Sequence, residues 1–222
     1  MTYVDEKNLE LFLGTAGPAA PAIYVVDLPE HPFDVVAAAQ GLSATVVRVP
    51  VRNWDDSLTP WPAPGLRPGE PDFGGNAAST LRELTEETIP QVEARHELSP
   101  ARRAVCGYSL GGLFSLYAFA QSSYFSACAC LSGSLWYPGW VDHLRGLPLE
   151  GAGRYVYFSI GKKERKAGPP VMRTVQDDME ACAEILRGRG CAVDVTVGPG
   201  NHMQHHTERL SAGLAALDGF LA

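Results

Sequence analysis

Several features that would fix a function class at once are missing or scarce. No window approaches the roughly 18 consecutive apolar residues that cross a bilayer, so a membrane-spanning role is not expected. Basic residues are outnumbered, with 18 Lys and Arg against 25 Asp and Glu and a formal net charge of -7. A chain of that sign lacks the cationic surface that drives binding to a phosphate backbone, so nucleic acid is not an expected partner. The five cysteines are odd in number, and none has the paired spacing of a disulfide framework or a zinc site. Cys128 and Cys130, in "SACACLSGS", share one face if that run is a strand and read as small buried apolar residues. The opening "MTYVDEKNLELFLG" lacks the basic-then-apolar order of a secretory signal, so a reduced, cytoplasmic setting is expected. Internal repeats, low-complexity tracts and linkers are absent, and 222 residues fit one domain spanning 1–222.

What is present is an alternation. Short β-branched or aromatic runs recur as "AIYVVD", "ATVVRVP", "RAVCG", "ACACLSG", "RYVYFSIG" and "AVDVTVG". Between most of them lie segments with helical spacing, such as "LRELTEETIPQVEA", where Leu81, Leu84, Thr88, Ile89 and Val92 fall on one face. The order predicts an α/β fold, a mostly parallel sheet with helices on both faces. Near-continuous apolar strands fit a sheet covered on both sides. One segment breaks the pattern: residues 51–76, rich in Pro, Gly and Trp and without a usable period. Such a loop is expected to be ordered by Trp54, Trp61 and Phe73 and to form a wall of a substrate site.

"GYSLG", Gly107 to Gly111, matches G-x-S-x-G. The match gains force from its setting, a strand-like run before it and a helix-like run after it. In that setting Ser109 sits on a strained turn whose flanking positions must be small, and the Leu110 N–H at the helix start faces an oxyanion formed beside the serine. A hydroxyl is a weak nucleophile near neutral pH and needs a base in hydrogen-bond reach. Such groups gather at the C-terminal ends of parallel strands. The last predicted strand runs into "GPGNHMQHH", which makes His202 the candidate base, with His205 and His206 as competitors. The three histidines also admit a metal reading, but no Cys, Asp or Glu nearby completes a ligand set; no metal or cofactor is expected. The acid that orients the imidazole is expected after the preceding strand, at Glu164 in "GKKERK", with Asp142 as the alternative. A second oxyanion donor is sought after the first of these strands, at the Leu28 N–H; His31 in the same loop could border the pocket.

"AVCGYSLGGLFSLYAF", "CLSGSLWYPGW", "YFSIGKKE" and "GPGNHMQ", in that order, resemble the putative-esterase branch of the α/β-hydrolases, and within it the siderophore esterases that open catecholate trilactones. The resemblance runs from about Ala22 to the final helix. It implies an α/β-hydrolase fold and a serine carboxylic-ester hydrolase with Ser109 as nucleophile, His202 as base, Glu164 as acid, and Leu110 and Leu28 as oxyanion donors. Some members work with a Ser–His dyad, and this chain has Val26, Asp27 and Leu28 where "LDG" often marks the oxyanion loop. The same branch includes esterases of feruloyl, acetyl-sugar, S-formylglutathione and mycolyl substrates, and a scaffold that binds a small ligand without turning it over is the reading from outside enzymology.

The expected partner is a small-molecule ester. Trp54, Trp61, Trp136 and Tyr137 could stack on an aromatic group. A ferric catecholate is anionic, so it would need a local cationic patch, for which Arg52 and Arg67 in the long loop and Lys162, Lys163, Arg165 and Lys166 around the proposed acid are the candidates. Composition does not indicate an oligomeric state.

Overall fold

A computed structural model of the chain describes residues 4, 6–28, 33–166 and 168–222; His31 lies outside them. The strands are β1 (Glu10–Phe12), β2 (Ala22–Asp27), β3 (Thr45–Pro50), β4 (Pro62–Ala63), β5 (Phe73–Gly74), β6 (Arg103–Tyr108), β7 (Ala127–Leu131), β8 (Tyr155–Gly161) and β9 (Ala192–Gly198). The α-helices are α1 (Val35–Ala39), α2 (Trp54–Ser57), α3 (Ala77–Glu83), α4 (Ile89–Arg95), α5 (Leu110–Gln121), α6 (Trp140–Gly146), α7 (Val175–Gly188) and α8 (His206–Leu221). Seven strands form one sheet in the order β1-β3-β2-β6-β7-β8-β9. All neighbours are parallel except β1, which pairs antiparallel with β3.

Alternation along each strand feeds two cores, one per face of the sheet. Tyr24, Val26, Val105, Cys128, Cys130, Val156 and Phe158 enter one. Ile23, Val25, Ala104, Cys106, Ala127, Ala129 and Tyr155 enter the other, where they meet Leu210, Leu214 and Leu217 of α8. Full burial of both faces explains why these strands are apolar throughout. The last strand departs from that: β9 alternates exposed and half-buried residues, because it closes an edge of the sheet. α5 is apolar around its whole circumference and is buried from Leu110 to Ala120. The five cysteines are free and buried, and burial pushes the thiols of Cys106, Cys128, Cys130, Cys182 and Cys191 above their usual range.

Two stretches are more structured than the sequence predicts. The helical face over 81–92 is interrupted: α3 passes through a π-helical turn at Leu84–Thr88 into α4. Pro90 stands in the first turn of α4 and cannot donate to the preceding carbonyls, and the wider turn accommodates that loss. Residues 51–76 contain α2 and the antiparallel pair β4–β5. Tyr137 Oη donates to the carbonyl of Trp61 at 2.6 Å, and Trp61 Nε1 donates to the carbonyl of Pro138 at 3.0 Å. These bonds pin the segment against the chain that follows β7. No described helix is long and apolar enough to cross a membrane.

Candidate active site

Four consecutive strands of the sheet, β6 to β9, end at one edge, and the residues just beyond their C-termini converge. Ser109 follows β6 directly and precedes α5, with φ 58° and ψ -121°, a conformation that non-glycine residues seldom adopt. Its backbone is held on both sides: its N–H donates to the carbonyl of Leu131, and its carbonyl accepts from Ser134 N and Leu113 N. Glycine at 107 is a steric requirement, because a Cβ there would strike the carbonyl of Gly111. At Gly111 a Cβ would press on the Trp54 ring at 3.0 Å and the Val26 carbonyl oxygen at 3.3 Å.

His202 lies beyond β9, and its Nε2 is 3.1 Å from Ser109 Oγ. Its Nδ1 is 3.0 Å from Glu164 Oε2. Glu164, just past β8, is only 4% exposed although it sits in a charged run. The flanking Lys162, Lys163, Arg165 and Lys166 are exposed and leave the carboxylate as the one side chain of that turn facing inward. Its Oε1 accepts from Ser132 Oγ and from the N–H of Gly161, each at 2.7 Å, with Arg209 Nη1 at 3.7 Å. Burial by itself would raise this carboxyl; the bonds from His202, Gly161 and Ser132 outweigh it and hold the group below its usual value of 4.5.

The loop that bears His202 is clamped as firmly as Glu164. The Arg209 guanidinium donates to Tyr108 Oη at 2.6 Å and to the carbonyls of Gln204, Pro199 and Asn201. Tyr108 Oη donates to the carbonyl of His202 at 2.8 Å, and His206 Nε2 bonds to the same carbonyl at 2.9 Å. His205 turns instead to Glu208 at 3.3 Å. Neither competitor faces Ser109, and no three His, Cys, Asp or Glu side chains converge as a metal site among the described residues. Asp142 is exposed and pairs with Arg145, away from the imidazole.

Leu110 opens α5, where its N–H has no intrahelical acceptor. The Leu28 N–H does not join it: it donates to Asp27 Oδ1 at 2.8 Å, while the Leu28 carbonyl accepts from Arg48 Nη2 at 2.8 Å. The buried Asp27–Arg48 pair claims this turn, a competition that topology alone does not reveal.

A cavity of about 300 Å³ opens at Ser109 and Leu110, walled by Trp54, Leu66, Phe73 and Trp136, with Asp55 and Glu70 in its lining. A second, of about 200 Å³, lies against His202 and Glu164 and is lined by Trp136, Met172, Val175 and Met203. Of the side chains expected at the substrate, Trp54 and Trp136 line the serine cavity. Trp61 and Tyr137 pack behind it against each other, 6.0 Å between ring centroids. Arg52 and Lys163 are exposed and line neither cavity, as is true of Lys162, Arg165 and Lys166. Arg67 is spent on Glu70 at 3.6 Å. Among the described residues, none of these cations lines either cavity.

Ser132, Arg209 and Tyr108 complete the site and escape a reading by sequence. Ser132 alone leaves a trace, as a serine directly after a strand in "LSGS"; its φ of 43° marks it as the second strained non-glycine residue at this sheet edge.

The chain is similar to known proteins in sequence and in fold. A curated relative, the uncharacterized protein YbbA of Bacillus subtilis (strain 168), is 29% identical over 184 residues, covering 78% of this chain and 74% of its own. Two solved structures are similar in fold. The siderophore hydrolase EstA from Aspergillus nidulans has a TM-score of 0.74 at 19% identity, over 97% of this chain and 95% of that one. An IroE-like serine hydrolase from Shewanella oneidensis has a TM-score of 0.77 at 21% identity, over 95% of this chain and 75% of that one. The family model described as "Putative esterase" matches residues 28–205, a span that holds Ser109, Glu164 and His202, and the chain belongs to that esterase family, in an α/β-hydrolase fold.

Proposed function

We propose that the protein is a serine carboxylic-ester hydrolase working through an acyl-enzyme. The observation that carries this reading is the unbroken relay from Glu164 through His202 to Ser109, with links of 3.0 and 3.1 Å at the floor of an open cavity. Glu164 keeps the proton on Nδ1 of His202, which leaves Nε2 as the acceptor facing the hydroxyl. As Ser109 Oγ attacks the ester carbonyl, its proton passes to Nε2 and the Leu110 N–H stabilises the oxyanion at the helix start. His202 then returns the proton to the departing alcohol, and a water activated by the same imidazole releases the acid. Leu28 would contribute as a second donor only by giving up its bond to Asp27.

For the substrate we infer an aryl or siderophore-type ester, on the strength of Trp54 and Trp136 beside the serine and of the siderophore hydrolase among the similar folds. Feruloyl and acetyl-sugar esters are the competing substrates. A fluorophosphonate probe is expected to label wild type and not Ser109→Ala. Absence of labelling together with absence of hydrolysis of short aryl esters would overturn the enzyme reading.

A further inference from the structure

Ser109 has a side-chain hydrogen-bond partner besides His202. Ser134 Oγ lies 3.4 Å from Ser109 Oγ, and both residues line the cavity of about 300 Å³ that opens at the serine. The contact is built into the sheet edge. β6 and β7 run side by side with Tyr108 opposite Leu131, and the chain leaves both at the same level. Ser134 N then donates to the Ser109 carbonyl at 3.0 Å, and Tyr137 N donates to the Ser134 carbonyl at 3.1 Å. Ser134 is only 2% exposed. Gly133 permits the close return, because a Cβ there would strike Cys130 Sγ. The two serines of "LSGS" thus address different partners: Ser132 holds Glu164, and Ser134 reaches the nucleophile.

Proton accounting gives the direction of the bond. Ser109 has one hydroxyl proton, and the base that takes it is His202 Nε2, 3.1 Å away. Ser109 Oγ is therefore the acceptor and Ser134 the donor. That donor faces an oxygen whose charge changes through the cycle. As a hydroxyl, Ser109 Oγ is a fair acceptor. In an acyl-enzyme it is an ester oxygen with its lone pair drawn into the carbonyl, and it accepts poorly. While its bond to the acyl carbon forms or breaks it carries partial negative charge and accepts most strongly. Only the difference between ground state and transition state alters a rate. The gain is small for acylation, which starts from the hydroxyl, and larger for deacylation, which starts from the ester.

Resting on the serine-hydrolase reading, we propose that Ser134 is a catalytic residue whose hydroxyl donates to Ser109 Oγ and assists its departure from the acyl-enzyme. In that step water forms a bond to the acyl carbon and gives a proton to His202 Nε2. The bond from the acyl carbon to Ser109 Oγ breaks, and His202 returns the proton to Oγ. Ser134 keeps its own proton throughout and stabilises the oxygen that leaves. The separation of 3.4 Å is long for a hydrogen bond between hydroxyls, as suits a contact that tightens when charge develops.

Ser134→Ala separates the two half-reactions on p-nitrophenyl butyrate, with circular dichroism checking the fold. Nitrophenol release in the pre-steady state reads acylation, and quenched-flow mass spectrometry of the Ser109 adduct reads its decay. A bond to a charged oxygen is roughly twice as strong as a neutral one, so the adduct is expected to decay on the order of tenfold more slowly in Ser134→Ala. Acylation, and with it kcat/KM, should change by less than about threefold. Then kcat and KM fall together and the butyryl-enzyme accumulates, a split that general loosening of the site does not produce. Ser134→Thr keeps the hydroxyl and should decay within about threefold of wild type. Equal slowing of both steps, slowing confined to acylation, or an unchanged adduct lifetime overturns the proposal, as does a threonine variant that decays like the alanine one. If wild type forms no adduct and releases no nitrophenol, the hydrolase reading itself fails, and the role of Ser134 falls with it.

Discussion

Replacing Glu164 by glutamine is the sharpest perturbation of the site because it keeps the side chain's shape while removing its charge and turning one acceptor into a donor. The retained amide oxygen can still accept from Ser132 Oγ and Gly161 N, which now hold Oε1 at 2.7 Å each. The amide NH2 would take the place of Oε2, 3.0 Å from Nδ1 of His202. Two N–H groups cannot face each other, so the imidazole must move its proton to Nε2, the nitrogen directed at Ser109 Oγ. The base is then pre-protonated and cannot accept from the hydroxyl. The same exchange of acid for amide in a serine protease triad costs about four orders of magnitude. Here the imidazole is 35% exposed and water can partly substitute, so the expected loss in kcat is on the order of a hundred- to ten-thousandfold, about 2.7–5.5 kcal/mol of barrier. Pre-steady-state release of p-nitrophenol from an aryl ester reads the acylation step directly, with circular dichroism checking the fold. A loss below about fivefold would refute the orienting role and leave a Ser–His dyad.

Other expectations follow from the same geometry. Ser132→Ala removes one of three groups holding Glu164 and is expected to lower kcat by about tenfold with KM little changed, measurable on the same ester. Gly107→Ala drives a Cβ into the Gly111 carbonyl and should lower the urea midpoint by the equivalent of about 1–3 kcal/mol or more. Because the folded state depresses the Glu164 pKa below 4.5, its contribution to stability is fully present above that pH and is lost as pH falls through the folded value. The gap in urea midpoint between wild type and Glu164→Gln should therefore be constant above about 4.5 and shrink in more acidic solution; a gap that widens there would reverse the assignment. Trp136→Ala merges the two cavities and should raise KM for aryl esters by on the order of tenfold, with acetyl esters less affected.

The fold was legible where burial is symmetric. β2, β6, β7 and β8 are apolar because both faces are covered, whereas α5, between β6 and β7, is apolar all round and shows no period. β1 gave no signal, since "ELF" is too short to alternate and pairs as an antiparallel edge. The serine, histidine and acid positions could be read because each follows a strand in a sheet whose strand ends gather at one edge. The burial of Glu164 could not, since four neighbouring cations suggest a solvated loop and the bonds that hold the side chain inward come from Ser132 and His202, distant in sequence, as well as from Gly161. Leu28 makes a bond that sequence does not reveal. Its place after β2 suits an oxyanion donor, yet Asp27 and Arg48, 21 positions apart, close the turn through a contact no local pattern encodes. Arg209 sits in an amphipathic helix like an ordinary surface cation and becomes a clamp only because Tyr108 lies opposite.

His202, the proposed base, follows β9, the outermost strand of the sheet, with one paired neighbour and about half its residues exposed. Ser109 and Glu164 follow interior strands, β6 and β8. Edge elements open more often than central ones, at a smaller free-energy cost. On the proposed mechanism, activity depends on an edge of the sheet, and mild denaturant is expected to abolish ester hydrolysis before spectroscopic unfolding begins. The Arg209 guanidinium, rivetting the loop after β9 to Tyr108, sets how wide that interval is.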